Sequence, residues 1–215
     1  EVGDIAALIE SLGYGTLWIP GGARGAVLDR CGDALAATTN LAVATGILNI
    51  CRHDVAEAAA RTAELRDQSD GRFLLGLGVS HERLIGEEYV KPLAKMESYL
   101  DELDTAGQSP EVRVLAALRP QMLRLATERS AGTHPYFVPP EHSAVAREVV
   151  GAGKLVAPEQ AVALVTDPTE AREIARGFCG LYLGLPNYTN NLRALGYTDD
   201  DLTPPGSDRL VDAIV

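Results

Sequence analysis

The chain has no apolar run approaching the ~20 residues that cross a bilayer, and no charged-then-apolar leader. Basic charge is short: 19 Lys and Arg stand against 30 Asp and Glu, a formal net charge of −11, with lysine only at Lys91, Lys95 and Lys154. A surface of that sign does not displace phosphate counterions, which argues against a general nucleic-acid binder. Three cysteines (Cys31, Cys51, Cys179) lie far apart, form no CxxC pair and leave an odd count. A zinc site or disulfide framework is therefore not expected, no metal is called for, and a reducing cytoplasm fits best. GxxxxGK[ST], HExxH, GxSxG and the EF-hand loop are all missing, and GLGVSHE (residues 76–82) lacks the third glycine of GxGxxG.

The 215 residues are enough for one sizeable domain. Hydrophobic residues make up 46% and mean hydropathy is +0.01, a composition ordinary for a globular protein. Asp4 followed by Ile5, Leu8, Ile9 and Leu12 predicts a helix ended by Gly13. TLWI (residues 16–19) predicts a strand, PGGARG (20–25) a loop, and residues 26–37 a weaker helix. TTNLAVATGILNI (38–50) reads as a buried strand with a glycine, Gly46, inside it. Glycine in a strand marks a bulge or a close approach of ligand or backbone, or else a simple kink. Asp54 with Glu57 resembles a capping box for a helix to about Gln68.

FLLGLGV (73–79), apolar on both faces, predicts a parallel strand covered by helices. Residues 87–105 predict a helix with Leu93, Met96, Leu100 and Leu103 inward, and Pro92 kinks it or marks its start. VRVLAAL (112–118) predicts a strand, and Pro120 opens the next helix. Residues 132–137 predict a weak strand or loop, with a helix entered near Pro140. QAVALVT (160–166) predicts a strand, and Asp167-Pro168 a helix to about residue 184. Two shorter helices are expected near 188–195 and 207–215.

The alternation of helix and strand predicts an α/β domain with a mainly parallel sheet. Six strand candidates, near residues 16, 41, 73, 112, 133 and 161, fall two short of a (β/α)8 barrel. The chain opens and stops on a helix, whereas a barrel helix follows a strand. One domain over residues 1–215 is expected, a TIM barrel lacking its first and last strands. A doubly wound sheet is the alternative.

Sites in parallel α/β folds gather at the carboxyl ends of strands. Those ends are Pro20–Gly22, Ile47–Arg52, Gly78–His81, Leu118–Pro120, His134–Tyr136 and Thr166–Pro168. His53, His81 and His134 fall at or just past them; His142 does not. The glycines of GLGVSHE allow a flat ligand or phosphate close to backbone N–H groups, or simply permit a tight turn.

LGYGTLWIP, TTNLAVATGILNI, GRFLLGLGVSHE and VLAALRPQMLRLATERSAGTHPYF, in this order and spacing, resemble the bacterial luciferase-like family. The resemblance is closest to its actinobacterial branch of F420-dependent oxidoreductases and covers nearly the whole chain. It implies a (β/α)8 barrel of the luciferase-like type that binds coenzyme F420 or FMN at its carboxyl face, usually as a homodimer. It further implies a non-proline cis peptide at Gly46–Ile47, forming with Leu48 and Asn49 a bulge behind the flavin ring. Gly78, Val79 and Ser80 match the loop along the cofactor tail. His81 falls where some F420 enzymes carry a catalytic glutamate, and is the candidate general acid or base. Ala117, Leu118 and Arg119 match a phosphate-contacting segment in which Arg119 replaces a glycine. Trp18, His53 and His134 are candidate pocket residues. Pro20-Gly21-Gly22 stands where family enzymes often have an acidic residue followed by His.

The activity so implied is hydride transfer between F420 and a small organic substrate, the cofactor supplying the redox chemistry. An FMN-dependent monooxygenase is the alternative within the family. A cofactor-binding barrel without turnover, and a phosphate-binding isomerase or lyase, are the readings outside it.

Overall fold

The computed structural model describes residues 1–21 and 26–215, apart from the side chains of Leu84 and Glu88. Residues 22–25 of the expected loop lie outside the described residues. Elements run in the order α1 (Val2–Ser11), β1 (Thr16–Ile19), α2 (Val27–Ala36), β2 (Ala42–Thr45), β3 (Leu48–Asn49), α3 (Val55–Gln68), β4 (Phe73–Gly78), α4 (Glu82–Ile85), α5 (Pro92–Thr105), β5 (Arg113–Leu115), α6 (Pro120–Arg129), β6 (Gly132–Thr133), α7 (Pro140–Val150), β7 (Leu155–Val156), α8 (Pro168–Tyr182), α9 (Pro186–Ala194), α10 (Asp199–Leu202) and α11 (Asp208–Ile214). The fold class is α/β with a parallel half-barrel sheet.

Two compact units share the chain: residues 1–116 with 128–132, and residues 117–127 with 133–215. In the first unit, β1 pairs β2, β2 and β3 pair β4, and β4 pairs β5, all parallel. Asp54 caps α3 by accepting the Ala56 and Glu57 N–H groups, and Pro92 takes the first position of α5. Leu41, Val43, Leu48, Phe73, Leu75, Leu77, Met96, Leu100 and Leu103 are buried. Burying a side chain of this size contributes ~1.5–3 kcal/mol.

Two polar devices fix this unit. The Glu10 carboxylate accepts the N–H groups of Thr39, Asn40 and Leu41, tying α1 to the entry of β2. Arg113, on β5, is fully buried. Its guanidinium donates to the carbonyls of Arg129 (2.9 Å) and Gln108 (3.2 Å) and to Asp104 (2.6 Å). Asp104 also accepts from Arg129, at 2.7 Å. Burial raises the Asp104 pKa, but hydrogen bonds from Arg113 and Arg129 outweigh it and leave the carboxyl below its ordinary value.

The second unit has its own core of Phe137, Cys179, Tyr188, Leu192, Leu210 and Val211. Asp167 caps α8, with Pro168 in its first turn. Among the described residues no helix is long and apolar enough to cross a membrane.

Two expectations fail. Residues 160–166 are not a strand; β7 lies earlier, at 155–156. Their alternation persists, with Ala161, Ala163 and Val165 half-buried and Val162 and Leu164 exposed (73% and 95%), but no ladder partner is present among the described residues. A strand is a pairing, and alternation alone does not supply the other side. The α1 stripe is also exposed at Ile5, Leu8 and Leu12; α1 instead buries Ala6 and sets Gly3 against Ala37, the residue that caps the end of α2.

Candidate functional site

The glycine inside residues 38–50 sits at a slip in register. Val43 and Ala44 face Phe73 and Leu74, whereas Leu48 and Asn49 face Leu77 and Gly78. The β2–β3 side holds one residue more than the β4 side, which is a bulge. The Gly46–Ile47 peptide in it is cis, as the resemblance implies. The Thr45 hydroxyl fills the broken ladder: it accepts from the Gly76 N–H and donates to the Gly76 carbonyl, both at 2.8 Å.

Three glycines make room for this bulge. A Cβ on Gly76 would overlap the Thr45 carbonyl oxygen, and one on Gly21, just after β1, would overlap the Ile47 carbonyl oxygen. A Cβ on Gly78 would meet Ile47 Cδ1 at 2.6 Å, so the Ile47 side chain lies over the bare backbone of Gly78. Ile47 is half-buried while Leu48 and Asn49 are buried. The glycines therefore serve a close approach of chain to chain, with the bulge held at the carboxyl ends of β1 and β4.

Downstream, Asn49 organises the next turn. Its side-chain carbonyl accepts the Cys51 N–H at 2.9 Å, and its backbone carbonyl lies 3.0 Å from His53 Nδ1. A carbonyl only accepts, so His53 carries its proton on Nδ1 and its basic nitrogen is Nε2. The Cys51 thiol donates to the Val79 carbonyl at 3.7 Å, and the Ile50 N–H to the Gly78 carbonyl at 3.0 Å. Ser80 adopts a left-handed backbone, φ 62°, and turns β4 into His81 at the start of α4. Burial lowers the His81 pKa from its ordinary value, which favours the neutral imidazole. Trp18 is half-buried on β1.

The first unit thus brings together Trp18, Gly46, Ile47, Leu48, Asn49, His53, Gly78, Val79, Ser80 and His81 at the carboxyl ends of its strands. No Asp or Glu stands among residues 19–21, 46–53 and 78–81. The side chains there of the type that titrates near neutrality are the imidazoles of His53 and His81. Among the described residues no group of His, Cys, Asp and Glu is arranged to hold a metal.

Ala117, Leu118, Arg119 and His134 belong to the second unit. Ala117 is buried and its carbonyl accepts from the Thr133 hydroxyl at 3.4 Å. The Leu118 carbonyl accepts from Nε2 of His142 at 2.7 Å, a histidine the strand-end argument sets aside because it sits on α7. Arg119 is exposed at the entry to α6. His134 is buried, and its Nδ1 donates to the Ala157 carbonyl at 2.6 Å. That carbonyl faces Pro135, which has no N–H to offer; the imidazole supplies the missing donor.

A family model for luciferase-like monooxygenases matches residues 1–113, which covers the whole bulge and its glycines. No curated protein matches the chain. Among solved structures, an F420-dependent secondary alcohol dehydrogenase in complex with an F420-acetone adduct aligns with TM-score 0.71 at 14% identity, covering 99% of this chain and 79% of that one. The coenzyme F420-dependent tetrahydromethanopterin reductase from Methanopyrus kandleri aligns with TM-score 0.67 at 15% identity, covering 83% and 68%. The oxygenating constituent of 3,6-diketocamphane monooxygenase from the CAM plasmid of Pseudomonas putida, a type II Baeyer-Villiger monooxygenase in complex with FMN, aligns with TM-score 0.66 at 17% identity, covering 99% and 78%. At these identities the likeness is one of fold.

Proposed function

Because the chain belongs to the luciferase-like monooxygenase family, we propose that it is an oxidoreductase that moves a hydride between coenzyme F420 and a small organic substrate. The observation that carries this reading is the bulge at Gly46–Asn49, walled by Gly21, Gly76 and Gly78 and bordered by His81. A flat ring needs an apolar shelf, and the half-buried Ile47 side chain, seated over Gly78, offers one.

In this reading Gly46, Ile47, Leu48 and Asn49 hold the ring, and Gly78, Val79 and Ser80 run beside its tail. Ala117, Leu118 and Arg119 serve its phosphate, Arg119 by charge. Coenzyme F420 supplies the hydride chemistry when bound. His81, whose neutral form burial favours, takes up or releases the substrate proton, and His53 offers Nε2 for the same task because Asn49 holds its Nδ1–H. Trp18, His53 and His134 border the substrate. A homodimer working in the cytoplasm completes the proposal; the three free cysteines suit a reducing compartment.

The FMN-bound monooxygenase among the fold neighbours favours a second reading, an FMN-dependent monooxygenase on the same shelf. Titration of the purified chain with F420 and with FMN, followed by gel filtration, separates the two. Retention of F420 at micromolar concentration is expected. Retention of FMN alone selects the second reading, and retention of neither leaves a barrel without redox cofactor.

A further inference from the structure

His142, in the first turn of α7, is fully buried. Its Nε2 lies 2.7 Å from the Leu118 carbonyl, which only accepts, so the ring carries its proton on Nε2. Nδ1 is then a bare lone pair, and among the described residues it has no hydrogen-bond partner. Burial lowers the pKa of the ring, against the raising effect of the Leu118 bond, and this favours the form with one proton. A buried acceptor without a donor is a cost to folding. An apolar side chain would fill the same place without that cost, so packing does not account for a histidine here. What the imidazole adds is the bond to Leu118.

That bond falls on a short segment held from several sides. The Leu118 side chain packs against the core of the second unit. Before it, the Ala117 carbonyl accepts from the Thr133 hydroxyl of β6. After it, Arg119 is exposed, and its carbonyl accepts the Leu123 N–H as α6 begins. The Leu118–Arg119 peptide is trans and planar, so its N–H points opposite to the Leu118 carbonyl. Holding that oxygen sets the rotation of the plane. It thereby sets the direction of the Arg119 N–H and the point from which the Arg119 side chain leaves the chain. Both are donors suited to an anion at the entry of a helix.

We propose that His142 is a positioning residue for the phosphate of the redox cofactor: through the Leu118 carbonyl it aims the Arg119 N–H and guanidinium at that group. This rests on the reading that Ala117, Leu118 and Arg119 serve the phosphate, and it names the residue that aligns them. His142 touches no ligand itself.

The test is fluorescence titration of the full chain with 7,8-didemethyl-8-hydroxy-5-deazariboflavin and with its 5′-monophosphate, which share the ring and differ in the phosphate. Where the flavins alone bind, riboflavin and FMN form the same pair. The wild type should bind the monophosphate at least about tenfold tighter than the parent. In His142→Asn the amide reaches only as far as Nδ1, so this variant should lower that ratio at least about fivefold while the parent binds within about twofold of wild type. In His142→Gln the amide N–H reaches the place of Nε2, and the ratio should stay within about twofold of wild type. An unchanged ratio in His142→Asn, equal weakening of both ligands, or a Gln variant no better than Asn would overturn the assignment and leave the redox reading standing. A wild type that binds parent and phosphate ester alike overturns the phosphate role of residues 117–119, and this inference with it, but keeps the ring shelf. A wild type that binds none of the four removes the redox reading as well.

Discussion

Gly76→Ala probes the bulge most directly. A Cβ there overlaps the Thr45 carbonyl oxygen, a backbone atom that cannot swing aside. Separating the strands breaks both bonds between the Thr45 hydroxyl and Gly76. Each contributes about 1 kcal/mol net. Overpacking adds about 1–3 kcal/mol, and reduced freedom of the unfolded chain returns about 0.4–1 kcal/mol. The net loss is about 3 kcal/mol, a fall in Tm of about 6–12 °C for a chain of this length. Gly78→Ala is the matched control. Its Cβ meets Ile47 side-chain carbons at 2.6 and 2.8 Å, which rotate away. It should cost about 1 kcal/mol or less, yet weaken F420 retention at least tenfold because Ile47 leaves the shelf. Urea denaturation followed by Trp18 fluorescence reads both variants. A Gly76→Ala protein within about 1 kcal/mol of wild type, or less harmed than Gly78→Ala, refutes the reasoning.

Arg113→Met leaves the Gln108 and Arg129 carbonyls without their donor; losing one side of such a buried network costs about 3–5 kcal/mol, and Arg113→Lys, lacking the fork, should recover less than half. Near-native urea midpoints for Arg113→Met would refute this. Asp104→Asn should cost less, since Asp104 is 40% exposed and water replaces part of the charge; a double-mutant cycle measures the coupling. His81, His134 and His142 all have pKa values lowered from 6.5 by burial. The unfolded chain therefore binds more protons than the folded one just below pH 6.5, so stability is full above that pH and is lost as pH falls. The urea midpoint should be lower at pH 5.5 than at pH 7.5, and His142→Gln should flatten part of the slope. Glu10→Ala should lower the midpoint at pH 7, where the carboxylate pKa is held down chiefly by the Asn40, Thr39 and Leu41 N–H groups; an unchanged midpoint would show that the β2 entry needs no anchor.

Much of the fold is legible in the sequence because its signals are local. Asp54, Pro92, Pro120 and Asp167-Pro168 each sit where a helix begins, and TLWI and FLLGLG are strands as their composition predicts. The signals that mislead depend on partners. QAVALVT has the alternation of a strand but, among the described residues, no neighbour to pair with, and the apolar stripe of α1 does not say what covers it. The site divides in the same way. From sequence alone Gly46 marks a bulge, a close approach or a kink, and GLGVSHE a close approach or a tight turn, but the need for glycine at 21 and 76 follows only from the path of residues 45–47. Arg113 hides at the head of an apolar strand because its acceptors are 5, 9 and 16 residues away. The task of His134 emerges only when Pro135 is seen across from Ala157.

The extra residue at positions 46–47 reverses the parity of the strand that contains it. Before it, odd-numbered Val43 shares a face with Phe73; after it, even-numbered Leu48 shares that same face with Leu77. Excising one residue here would restore ordinary counting with Leu48 still opposite Leu77 and Asn49 still opposite Gly78, so it would remove the bulge and leave the faces of β3 as they are. A single-residue deletion at 46–47 thus tests the bulge alone, because it takes away the extra residue and leaves Leu48 and Asn49 on the faces they already occupy.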